Sequence, residues 1–145
     1  MAERIKVFVS YASEDFESVQ NLVDELKMRG FDVWFDRDKI DYGDDFVDEM
    51  KNGIEESHVF LICLSPSFTK KPPESWVRDE LRMAMLREKE QGQKRIIPIR
   101  LIRGGDIPSQ IGTRAFADLS SEERWNQNFP RLVKSIKKRK QKQQN

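Results

Sequence analysis

The chain has 145 residues, 37% of them apolar and 35% charged, with a net charge of +1. That length suits one ordinary domain with a core of its own, and the composition is that of a well-hydrated globular protein rather than a disordered or membrane-spanning one. A single cysteine, Cys63, excludes an intramolecular disulfide framework, and with only one histidine beside it no zinc site is expected.

The N-terminus, Met1-Ala2-Glu3-Arg4, carries no apolar signal segment, and no later run reaches the length of a membrane span. A reducing cytoplasm is therefore expected. Lys6-Val7-Phe8-Val9-Ser10-Tyr11 is β-branched and aromatic, a buried strand by length and composition. Ala12-Ser13-Glu14-Asp15 offers an N-cap and two acids for a first helical turn. Phe16, Val19, Val23 and Leu26 then repeat at helical spacing, and Gly30 is a natural stop. Phe31 to Asp36 predicts a second strand, parallel to the first because the joints are short. Arg37 to Asp45 is a charged loop with Gly43 near its end, and Phe46, Val47, Met50 and Ile54 are spaced for a helix running to about Ser57.

His58 to Leu64 is apolar without alternation, which suits a central strand covered on both faces. It runs into Ser65-Pro66-Ser67, and Pro66 is expected to end it. Pro72 and Pro73 break the chain before Ser75, a good N-cap for a helix continuing to about Glu90 and stopping near Gly92. Arg95 to Leu101 predicts the fourth strand, with Pro98 placed where its missing N–H is not needed. Gly104-Gly105 and Pro108 mark a loop, and Arg114 to Leu119 is a weak fifth strand. Trp125, Phe129, Leu132, Val133 and Ile136 support a last helix that frays into Lys137-Lys138-Arg139-Lys140. Seven of the 26 basic residues and none of the 25 acids lie from Arg131 onward, so residues 1–130 carry 19 against 25, a net of −6. Residues 1–136 are read as the domain and 137–145 as a basic, Gln-rich tail or linker. A frayed end or linker is preferred there to a contact with nucleic acid or acidic lipid.

The alternation of strand and helix argues for a doubly wound α/β fold with a parallel sheet, flavodoxin-like and with helices on both faces. Ligands in such folds bind outside the carboxyl ends of the strands, at a topological switch point. Three loops leave that edge: Tyr11 to Asp15, Arg37 to Asp45, and Ser65 to Ser75. Trp76 and Glu80 share a helix face just beyond the third, an aromatic ring one turn before a carboxylate, which suits a flat, positively charged ring. Read alone, a Glu in a charged helix is a solvated residue; its place beside the binding edge changes that. Ser10 and Tyr11 end a strand at this edge, although the Tyr could simply cap the core. Ser13 meets a phosphate or caps its helix, and Asp36 and Lys39 at the loop mouth touch substrate or each other. Ser65 contacts ligand or terminates its strand. His58 is read as structural and Cys63 as a core thiol.

These residues together resemble a Toll/interleukin receptor (TIR) domain. Val7-Phe8-Val9-Ser10-Tyr11 is similar to the family's opening strand, and Phe31 to Asp36 with Lys39, Ile40 and Gly43 to its second strand and BB loop. Phe60-Leu61-Ile62-Cys63-Leu64-Ser65-Pro66 resembles the third strand, and Trp76 to Glu80 with Leu81 the "WxxxEL" segment. Four ordered motifs between about Lys6 and Ile136 carry the resemblance.

It implies an NAD glycohydrolase that releases nicotinamide with ADP-ribose or a cyclic isomer, in bacterial defence or virulence signalling. Glu80 would be catalytic, with Trp76 beside it. Ser10, Tyr11, Ser13, Asp36, Lys39 and Ser65 would contact NAD, which is a substrate and leaves no cofactor or metal required. The family also implies self-association through Arg37, Asp38, Ile40, Asp41, Tyr42 and Gly43. Ala12 stands where some active members carry an Arg, removing one phosphate contact. A non-catalytic TIR–TIR signalling scaffold is the alternative, and a nucleoside deoxyribosyltransferase-like enzyme a third reading.

Overall fold

The computed structural model describes residues 4–35, 46–70, 76–104 and 114–143, with the backbone alone at 46–50, 76–79 and 142. Among these residues the apolar runs pair as five parallel strands: β1 (Lys6–Ser10), β2 (Asp32–Trp34), β3 (Val59–Leu64), β4 (Ile96–Arg100) and β5 (Ala117–Asp118). Their order in the sheet is β2-β1-β3-β4-β5. The helices are α1 (Phe16–Met28), α2 (Phe46–Glu56), α3 (Pro66–Thr69), α4 (Trp76–Gln91) and α5 (Glu122–Gln143). This is the expected flavodoxin-like, doubly wound sheet.

All six residues of β3 are buried, which explains their lack of alternation: both faces are covered. Val59, Leu61 and Cys63 join Val7, Val9 and Val33 in a layer closed by Val19, Leu22, Val23 and Leu26 of α1 and by Phe129, Leu132, Val133 and Ile136 of α5. Phe60, Ile62 and Leu64 join Phe8 and Ile96 in the opposite layer, closed by Ile54, Phe68, Leu81 and Ala84. Each buried Val, Leu, Ile or Phe among them contributes roughly 1.5–3 kcal/mol. Just past α1 the chain turns at Gly30, whose φ of +89° is cheap only for glycine. In the second layer Trp34 stacks on Phe8 with centroids 4.7 Å apart. It approaches α2 so closely that a Cβ on Gly53 would stand 3.0 Å from its ring.

Pro98 sits inside β4, opposite Ile62. Phe60 N donates to Arg95 O, so the odd residues of β4 bond β3, and the proline nitrogen faces the β5 side, where pairing begins only at Ile99.

Three local expectations are corrected. Ser13 does not cap the first helix: it lies inside a 3-10 turn, Ser13–Asp15, and its hydroxyl donates to Glu14 Oε1 at 2.8 Å. Pro66 begins a helix instead of merely ending a strand. Ser65 is the N-cap of α3, accepting from Phe68 N at 3.0 Å with the proline in the first turn, where a missing N–H costs nothing. Finally, the helix does not fray at Lys137: α5 continues through the basic run to Gln143, whose Nε2 donates to His58 O at 2.7 Å. Ser75 and the two prolines before it lie outside the described residues, as do Asp36 and the polar loop after it.

The amino-terminal edge of the sheet is held by a buried carboxylate. Glu88 Oε2 accepts from Arg95 N at 2.6 Å and Ile96 N at 2.7 Å, and Arg114 closes on both of its oxygens at 2.7 and 2.5 Å. Burial works to raise the Glu88 pKa, but the hydrogen bonds from Arg114, Ile96 and Arg95 and the Arg114 charge outweigh it, so the carboxyl lies below its usual range.

Candidate active site

The strand order reverses between β1 and β3, the switch point at whose carboxyl edge doubly wound folds place ligands. β1 brings Ser10 and Tyr11 to that edge, and β3 leads into Ser65. Ser10 lies opposite Ile62 in register, two residues on from Phe8, and therefore faces the layer containing α4. There its Oγ donates to Glu80 Oε2 at 2.5 Å across 70 residues of sequence. Ser10 is 1% and Glu80 5% exposed. A hydrogen bond from a hydroxyl to a carboxylate is of the charge-assisted kind, and it is one of the contacts that orient Glu80. Glu80 is thus a buried, aimed acid rather than a solvated helix residue.

On the other face of β1, Tyr11 is half-buried against the α1–α5 layer. It sits in an aromatic group with Phe16 and Phe35, with centroids 6.4 and 6.2 Å away. Ser13 is exposed. Asp15 closes the 3-10 turn at only 8% exposure, and its Oδ2 accepts from the Ser65 hydroxyl. Loss of water on burial, reinforced by the Asp15 charge, pushes the Cys63 thiol far up, which makes it an inert core thiol as expected. Gly104, at φ +99°, lets the segment after β4 close on this corner: a Cβ there would stand 3.1 Å from Pro66 Cγ.

The structure therefore brings Ser10 and Glu80 together, sets Tyr11 at the end of the same strand, and ties Ser65 to Asp15. Trp76 is the first residue of α4, one turn before Glu80, with its backbone alone described. Asp36, Arg37, Asp38, Lys39, Ile40, Asp41, Tyr42 and Gly43 lie outside the described residues. His58 is structural, its Nδ1 accepting from Lys6 N at 2.9 Å. Sequence reasoning had Asp15 only as a first-turn acid; the available signal was an acid five residues past the end of a strand that enters the site. No helix among the described residues is long and apolar enough to cross a membrane. Chemically, an oriented carboxylate in a crevice can bind sugar hydroxyls and stabilise an adjacent cation.

The sequence model of one family, described as TIR domain, matches residues 7–133. A Bacteroides thetaiotaomicron protein named 2' cyclic ADP-D-ribose synthase BtTIR is 36% identical over 93 residues, covering 63% of this chain and 31% of that one. A Theionarchaea archaeon protein named NAD(+) hydrolase TcpA is 33% identical over 94 residues, covering 64% and 27%. The chain thus spans about a third of the length of these curated relatives. Among solved structures, the TIR domain of the Toll-related receptor TRR-2 from Hydra magnipapillata superposes with a TM-score of 0.74 at 25% identity, covering 90% of this chain and 97% of that one.

Proposed function

The chain belongs to the TIR domain family, and from that premise we propose that it cleaves the nicotinamide–ribose bond of NAD with Glu80 as the catalytic carboxylate. The observation that carries this reading is the buried Ser10–Glu80 hydrogen bond at the switch point. Nicotinamide is a cationic substituent in NAD and leaves as a neutral molecule, so the departing group needs no strong acid. The C1'–N bond breaks with its electron pair going to the pyridine nitrogen, and the ribose passes through an oxocarbenium-like state. A carboxylate fixed before the reaction stabilises that cation more than it does the ground state, which lowers the barrier. Water at C1' then gives ADP-ribose and a proton, whereas capture by a hydroxyl of the same molecule gives a cyclic isomer. Ser10 aims Glu80, and Tyr11, Ser13, Asp36, Lys39 and Trp76 are proposed to contact NAD, whereas Ser65, buried with its hydroxyl between Asp15 and Phe68 N, takes the other role open to it and terminates its strand. Neither cofactor nor metal enters this chemistry. The reaction is placed in the cytoplasm and in assemblies formed with other TIR domains.

A second reading has one observation in its favour. A carboxylate only 5% exposed and tied to Ser10 also serves as a plain structural link, as it would in a TIR scaffold that signals by contact alone. One experiment separates the two. The purified domain, clustered on a support, is incubated with NAD beside Glu80→Ala, and nicotinamide is followed chromatographically. Release by the wild type alone supports the enzyme, and the co-product separated beside nicotinamide distinguishes hydrolase from cyclase. Silence of both, with assembly confirmed, moves the assignment to the scaffold.

A further inference from the structure

Among the described residues the buried polar side chains fall into two groups. Ser57, Glu88 and Arg95 lie at the amino-terminal edge, where Glu88 satisfies strand N–H groups. Ser10, Asp15, Ser65 and Glu80 lie at the carboxyl edge. Asp15 meets no backbone need there. Its carboxylate takes the Ser65 hydroxyl, and among the described residues no cation pairs with it. Burying a carboxylate on so few partners costs stability, so a purely structural account explains it poorly.

The connectivity supplies another account. Ser10 ends β1 and Asp15 closes the short turn that follows it; Ser65 follows β3 and caps α3, and Glu80 lies in the second turn of α4. The bonds Ser10–Glu80 and Asp15–Ser65 therefore tie the two ends of one six-residue stretch to elements that follow β3, at the point where the strand order reverses. Ser65 donates to Asp15 and accepts from Phe68 N at 3.0 Å, so the Asp15 carboxylate sets the rotor that caps α3. Resting on the assignment of Glu80 above, we infer that Asp15 is a positioning residue: its tie to Ser65 anchors the turn that follows Ser10, and thereby holds the hydroxyl that orients the catalytic carboxylate toward the ribose.

Steady-state kinetics on the clustered domain test this with Asp15→Ala, Ser65→Ala, the double variant and Asp15→Asn. The expected result is a fall in kcat of about tenfold or more in each Ala variant, with KM within about threefold and the thermal midpoint accounting for none of the loss. The double variant should be no worse than the poorer single one, because both remove the same tie. Asp15→Asn, whose amide oxygen still accepts from Ser65, should recover most of the rate. Unchanged kcat, a loss confined to KM, additive losses, or a loss that follows unfolding would each overturn the inference. A wild-type domain silent on NAD sinks the catalytic reading instead. The tie is then judged from the Glu80 carboxyl resonance in glutamate-labelled protein and from exchange of the Phe68 amide. In Asp15→Ala the resonance should shift and the amide should exchange faster; identical values in the variant overturn the inference without any reference to activity.

Discussion

Replacing Glu80 by Gln keeps the side chain's size and an acceptor for the Ser10 hydroxyl but removes the charge opposite the developing cation. Nicotinamide release should fall by about 10²–10³, the range for loss of one preorganised electrostatic group, while the thermal midpoint stays close to that of the wild type. Ser10→Ala makes the converse change: the charge stays and one of the bonds that aim it is lost. A bond to a charged group is worth about 1.5–3 kcal/mol, so kcat should drop by roughly tenfold or more. If Ser10→Ala left the rate untouched, orientation by this bond would have no part in catalysis. Glu80 was legible in the sequence through the resemblance and through its spacing from Trp76. Its burial and its partner were not, because nothing local to residues 76–80 signals a hydroxyl 70 residues away. Asp15 was the opposite case, visible as an acid but with no sign of its role.

Helices and strands were read well wherever periodicity was strong and poorly where one turn decides. The buried stripes of α1 and α5 and the unbroken apolar run of β3 reached the right elements. The four-residue α3 is not signalled by period, since Ser-Pro both ends a strand and makes an N-cap with its first helical position. Two substitutions test element-level packing. Pro130 is exposed inside α5, where its ring removes one helical N–H. Pro130→Ala should stabilise the fold by about 1–3 kcal/mol and raise the midpoint in thermal unfolding. Gly53→Ala should do the reverse. Alanine gains about 1 kcal/mol of helix propensity, but its Cβ would press the Trp34 ring at 3.0 Å and disturb the stack on Phe8. Overpacking of about 1–3 kcal/mol makes the net change destabilising. An increase in thermal midpoint for Gly53→Ala would show that the ring yields freely.

Across the whole molecule the two edges of the sheet divide the work: the carboxyl edge holds the proposed chemistry and the amino edge holds the fold. Glu88→Gln should cost about 2–3 kcal/mol, below the value for a fully buried pair because Arg114 is 21% exposed. It should leave the carboxyl edge, and hence kcat, nearly unchanged. The folded pKa of Glu88 is depressed, so its stabilisation is fully present above about pH 4.5 and is lost as the pH falls through the lower folded value. Asp118 shifts the same way: burial works to raise its pKa, but hydrogen bonds from Ser120 and the charges of Arg124 and Arg100 outweigh it. Thermal unfolding against pH should therefore show the gap between wild type and Glu88→Gln widest near neutrality and closing below pH 4.5. A gap that held constant into acid would refute the depressed pKa. The sequence by itself determined the order of elements, the parallel sheet and the edge where a ligand belongs, because apolar periodicity and short joints are local properties that leave few topologies open. Only the tertiary structure decided which acids meet which partners: Ser10 with Glu80, Ser65 with Asp15, Arg114 with Glu88. Those pairs arise from strand register and from loops closing across the sheet, and no stretch of chain short enough to have a period of its own contains both members.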